Sequence, residues 1–96
     1  MIKVDVTEEA LREEMEKVIE LVLEKNVQYA DAWQEYGIAT PLLRIKEKLL
    51  RLHSIVHDTC ILEMPTDVDQ EFDDIIGYVL LGKLWLRENG HTIKTE

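Results

Sequence analysis

Glu71 and Asp74 stand three residues apart in a stretch, Asp67 to Asp74, that holds five acids in eight positions. On a helix that spacing projects both carboxylates from one face, with Asp67 and Tyr78 in line with them. Acids in a first helical turn are ordinary, because they suit the positive end of the helix dipole, but Asp73 and Asp74 come after that turn. Hard divalent cations such as Mg²⁺ take carboxylate oxygens, and a Glu-x-x-Asp pair offers two of them from one wall. Glu47 is the candidate third carboxylate from a facing wall, in competition with pairing to its neighbours Arg44, Lys48 and Arg51. A merely solvated acidic helix start is the other account of the cluster.

Basic residues are concentrated elsewhere. Arg44, Lys46, Lys48 and Arg51, four of the eleven in the chain, fall within eight positions. Arg44, Glu47, Lys48 and Arg51 share a helix face at i, i+3, i+4 and i+7, where Arg forks and a Lys point charge suit the oxygens of a triphosphate. A third group, Lys25, Asn26, Tyr29, Asp31, Trp33 and Tyr36, mixes aromatic and amide side chains just after a helix. Packing at a helix end accounts for Trp33; a base pocket, with a ring for stacking and Asn26 for paired contacts to a base edge, is the functional alternative. His53 and His57 have zinc-like spacing, with Asp58 and Cys60 following, yet Ser54 stands where His-Glu-x-x-His has its glutamate. Surface histidines are the simpler reading, and nothing in the sequence lowers the pKa of Cys60 enough to make it a nucleophile.

Helices must position these groups, because only two prolines and four glycines interrupt the chain. The first helix, roughly 7–30, starts at Thr7 as N-cap and carries the apolar stripe Leu11, Met15, Val18 and Val22. The second, 41–57, restarts at Thr40-Pro41 and carries Leu42, Ile45, Leu49, Leu52 and Val56, widened by Leu43 and Leu50. After a linker from Asp58 to Pro65, the third runs over 67–88 and ends at Asn89-Gly90. From Ile75 to Leu86 it is apolar on nearly every side, which two neighbours in a three-helix monomer cannot cover.

The expected fold is therefore all-α, a single domain over 1–96: an antiparallel bundle of three main helices completed by homodimerisation. A chain of 96 residues buries only about 60% of its unfolded surface, which also favours an oligomer. Twenty Asp and Glu against eleven Lys and Arg give a charge of −9, which argues against direct DNA or RNA binding and leaves small anions open. Ile75 to Leu86 contains Lys83 and is shorter than the roughly 20 residues a bilayer needs. Met1 to Val6 lacks the basic region of a targeting segment, and one cysteine makes no internal disulfide, so the expected compartment is cytoplasmic. No repeat or Gly-rich phosphate loop is present in the sequence.

Lys25-Asn26-x-x-Tyr29-x-Asp31-x-Trp33, Arg44-x-x-x-Lys48-x-x-Arg51-Leu52 and Asp74-x-x-x-Tyr78 together resemble the nucleotide modification associated domain family, across roughly Glu24 to Leu86. That family is similar to the MazG-like all-alpha nucleoside triphosphate pyrophosphohydrolases. The resemblance implies a dimeric or tetrameric bundle in which two acidic motifs, Glu-x-x-Glu and Glu-x-x-Asp, hold Mg²⁺ and split a nucleoside triphosphate into monophosphate and pyrophosphate. Glu71-x-x-Asp74 matches the second motif, whereas Arg44 stands where the first needs the partner acid of Glu47. On that basis Glu47, Glu71 and Asp74 are expected to hold metal and Glu71 and Asp74 to serve catalysis. Asn26, Tyr29, Trp33, Arg44, Lys48, Arg51 and Tyr78 are expected to contact the nucleotide. The alternative is a non-catalytic dimeric module that binds a nucleotide or a protein partner.

Overall fold

The computed structural model describes residues 2–29, 31–57 and 68–89. Three α-helices, α1 (Glu8–Tyr29), α2 (Ala39–His57) and α3 (Val68–Asn89), and a short 3₁₀ helix (Ala32–Tyr36) account for the regular structure, with no strand among the described residues. The fold is all-helical, as expected. The linker, Cys60, Asp67 and Gly90 lie outside the described residues.

Thr7 caps α1 through its side chain: its Oγ1 accepts the Ala10 backbone N–H at 3.1 Å, satisfying one of the donors a helix start leaves orphaned. Helix α2 begins two residues before the proposed Thr40-Pro41 restart, with Leu42 N–H donating to the Ile38 carbonyl at 3.3 Å. Pro41 is therefore the third helical residue, still among the N–H groups that lack an intrahelical acceptor, so its ring costs the helix no bond.

Between α1 and α2 the chain turns on two left-handed residues, Asp31 (φ 63°) and Gly37 (φ 59°). Aspartate tolerates that conformation through its short polar side chain. At Gly37 a side chain has no room either, because a Cβ would lie 3.0 Å from Cζ2 of Trp85 on α3. Helix α3 packs against both α2 and α1 and is the central element. It is notched twice: Gly77 lets Val22 of α1 approach within 3.0 Å of where a Cβ would stand, and Gly82 receives Ile38 and Pro41.

The expected stripes are covered only in part. On α1 Val18 is fully buried while Leu11 is exposed; on α2 Leu52 is buried while Leu42 and Leu49 are exposed. In this setting of α2, Lys48 and Arg51 meet the acids of α3 in the ion pairs described below, while the leucines of the next face lie outward. Among the described residues Val18, Pro41 and Leu52 are the buried apolar side chains, whereas Val79 and Leu84 of α3 remain more than one-third exposed. No helix among the described residues is long and apolar enough to cross a membrane.

Candidate functional site

A cavity of about 640 Å³ opens between α1, the 3₁₀ helix, α2 and α3. Most of the residues singled out in the sequence meet there. Asn26 and Trp33 line one side, Arg44, Lys48 and Arg51 another, and Asp74 and Tyr78 a third. Glu47 also lines the cavity, while Lys46 lies on the opposite flank of α2. Tyr29 closes α1, and its side chain lies outside the described part of the structure.

Helical spacing explains the convergence. Positions 44, 47, 48 and 51 form one flank of α2, and 74, 78 and 81 one face of α3, so the packing of α2 on α3 brings the two sets together. The tight turn through Asp31 folds the 3₁₀ helix back on α1, where Trp33 Nε1–H donates to Asn26 Oδ1 at 3.2 Å. That bond fixes the ring and leaves the Asn26 amide nitrogen as a donor.

Glu71 and Asp74 are 6% and 7% exposed, and two carboxylates cannot be buried without compensation. Three cations supply it. Lys25 Nζ lies 3.1 Å from Asp74 Oδ1, which also accepts from Gln70 Nε2 at 3.1 Å. Lys48 Nζ sits between the two acids, 3.0 Å from Asp74 Oδ2 and 3.3 Å from Glu71 Oε2. Arg51 Nη1 donates to Glu71 Oε1 at 3.0 Å. Glu71 Oε2 is buried and accepts no hydrogen bond of good geometry, so the ammonium at 3.3 Å is its compensation.

Burial alone would raise the pKa of Asp74, but hydrogen bonds from Lys48, Lys25 and Gln70 outweigh it and hold the carboxyl below its usual value. Burial likewise disfavours the charge on Lys48, and Asp74 and Glu71 more than offset it, so its ammonium titrates above the ordinary lysine value.

The expected metal triad does not come together. Glu47 is half exposed and pairs with Arg44 at 3.1 Å, the local alternative open to it on the helix surface. Among the described residues the acids whose oxygens lie within 4.8 Å of one another as a trio are Glu14, Asp69 and Asp73. Glu14 is already bound to Lys17 at 3.1 Å. Burial, followed by repulsion from Asp69 and Glu14, lifts the Asp73 pKa above its usual value. Glu71 and Asp74 do not fit Mg²⁺ as they stand, because a metal needs oxygen donors at about 2.0–2.1 Å and a protonated lysine offers none.

Two contributors escape sequence reasoning. Lys25 belongs to a recognised motif, but its pairing with Asp74 spans 49 residues of sequence and leaves no periodic trace. Gln70 does carry a signal, since it lies one helical turn before the acid it binds. Compared with known protein families, curated proteins and solved structures, the chain has no significant match.

Proposed function

We propose that this cavity binds a phosphorylated nucleoside and that the chain acts as a homodimer. The observation that carries the first part is the segregation of the cavity walls. Basic groups Arg44, Lys48 and Arg51 lie on α2, and the fixed Trp33–Asn26 pair lies opposite with Tyr78 nearby. Four bases, Lys25 included, against the acids Glu47, Asp73 and Asp74 make this lining net positive by one, in a chain of charge −9.

Each guanidinium has donors to spare. A guanidinium has five N–H donors in a planar fork; Arg44 and Arg51 each engage a carboxylate through one terminal nitrogen, so the rest of each fork suits phosphate oxygens. Trp33 and Tyr78 supply aromatic faces for a base, and the Asn26 amide nitrogen a donor to its edge.

Support for the dimer comes from the thin core. With Val18, Pro41 and Leu52 as the buried apolar side chains among the described residues, the fold leaves Leu42, Leu49 and Leu50 of α2 and Phe72 of α3 each more than half exposed around one groove. Such a face needs a cover that is present wherever the chain is, and a second copy meets that condition.

Phosphorus NMR and thermal melting with ribo- and deoxynucleoside mono-, di- and triphosphates, each in EDTA and in Mg²⁺, test the ligand. Binding to the native state raises the melting temperature, by an amount set by concentration over Kd, and the expected rise persists in EDTA without release of pyrophosphate. No rise with any nucleotide overturns the proposal. Mg²⁺-dependent formation of monophosphate and pyrophosphate replaces it with the pyrophosphohydrolase reading, in which Glu71 and Asp74 hold the metal.

A further inference from the structure

We infer that the Lys48 ammonium is the resident cation of this site: it fills the position between Glu71 and Asp74 that a divalent ion would take, so the pair binds no metal. The position is defined by geometry. Two carboxylates one turn apart on α3 converge on a single point, contributing one oxygen each, and Lys48 Nζ occupies that point at 3.3 and 3.0 Å. Their other two oxygens are also committed, Glu71 Oε1 to Arg51 and Asp74 Oδ1 to Lys25 and Gln70.

Charge agrees with geometry. Two negative groups face the three cations Lys25, Lys48 and Arg51, so the cluster is already net positive before any metal arrives. A divalent ion would have to expel the ammonium, which is itself only 21% exposed, and strip its own hydration shell. Glu71 Oε2 identifies the weak point of the arrangement: it is buried, and among the described residues it lacks a well-formed hydrogen bond and has the Lys48 ammonium as its counter-charge. Deleting the Lys48 charge therefore leaves two buried carboxylates with one open oxygen each, aimed at a vacated cation position.

An ammonium also does what a bound metal cannot. It carries three donors and faces Asp74 and Glu71 at 3.0 and 3.3 Å, which leaves donor capacity for the cavity that Lys48 lines. The counter-charge for a phosphorylated ligand is thus built into the chain, and free nucleotide rather than its metal chelate is the species the site fits.

The first part of this inference does not depend on the ligand reading, because its test uses Mn²⁺ alone. Calorimetric titration of the full chain with Mn²⁺ is compared across the parent protein, Glu71→Gln, Lys48→Met and the double variant Lys48→Met with Glu71→Gln. The expected result has three parts: Mn²⁺ affinity of the parent unaffected by Glu71→Gln, at least tenfold tighter binding in Lys48→Met, and loss of that gain in the double variant. Equal affinity in Lys48→Met and the parent overturns the inference. So does parent binding that Glu71→Gln abolishes, a comparison that stands even if circular dichroism shows the Lys48 variant unfolded.

Discussion

Helix α2 has two flanks on either side of its buried line, and they invert the usual distribution of polarity. The flank toward the cavity carries Arg44, Lys48 and Arg51, and holds the buried carboxylates of α3 in place. The other carries Leu42, Leu49 and Leu50, and these lie open beside Phe72. Arg44, Lys48 and Arg51 find partners within the chain, while Leu42, Leu49 and Leu50 stay open. Ion pairs need defined partners and so favour one setting of α2 on α3, while hydrophobic surface is non-directional, and the open leucines are the face proposed above for a second copy.

The largest effect is expected from the apolar flank. Leu42→Glu with Leu49→Glu places two charges on the face proposed to close the dimer, and on that proposal light scattering should show the mass fall from twice 11.2 kDa to 11.2 kDa. The melting temperature should fall with it by about 10 °C or more, the loss of some 2 kcal/mol in a domain of this size. A parent protein already at 11.2 kDa would break the contrast between the flanks.

The charged flank should respond more weakly and through pH. Asp74→Ala deprives Lys48 and Lys25 of their acceptor. The expected cost in urea unfolding is about 1–1.5 kcal/mol, well below that of a wholly buried pair because Lys25 remains nearly half exposed and Lys48 about one-fifth exposed. Because the Asp74 pKa is lowered on folding, its contribution is full above the ordinary carboxylate value and is lost as pH falls through the lowered one. For Lys48, whose pKa is raised, the contribution is full below 10.5 and lost as pH climbs through the folded value. The contribution of this pair to the parent urea midpoint should thus hold level between these limits, and Asp74→Ala should lose the acid decline and weaken the alkaline one, since Glu71 still faces Lys48.

The smallest effect lies at the α1–α3 edge, where Asp73 is crowded by Asp69 and Glu14. Its raised pKa means that ionisation penalises the fold as pH rises through the folded value. Asp73→Asn should therefore raise the melting temperature at pH 7 by about 1–3 °C, and the gain should vanish once pH falls below the usual carboxylate range.

Much of this was legible in the sequence, for physical reasons that differ by residue. The three helices follow from periodicity and from Thr7, whose capping bond is purely local. The grouping of Arg44, Lys48 and Arg51, and of Asp74 with Tyr78, follows from spacing on single helices. What those groups do to one another was not legible. Glu71 and Asp74 read as metal ligands until α2 is laid against α3, because an acid pair looks the same whether a metal or an ammonium sits between its members. Likewise Leu42 and Leu49 read as core, since amphipathic pattern reports which residues avoid water and not which neighbour covers them.

The two notches of α3 carry a mechanical consequence. Gly77 receives Val22 and Gly82 receives Ile38 and Pro41, on different sides of the same rod. A slide of α3 by one turn toward either end would bring Leu81 and Leu86, or Asp73 and Tyr78, into gaps that scarcely admit a methyl group. The axial register of the three helices is thereby keyed, so the frame around the cavity resists sliding of one helix along another.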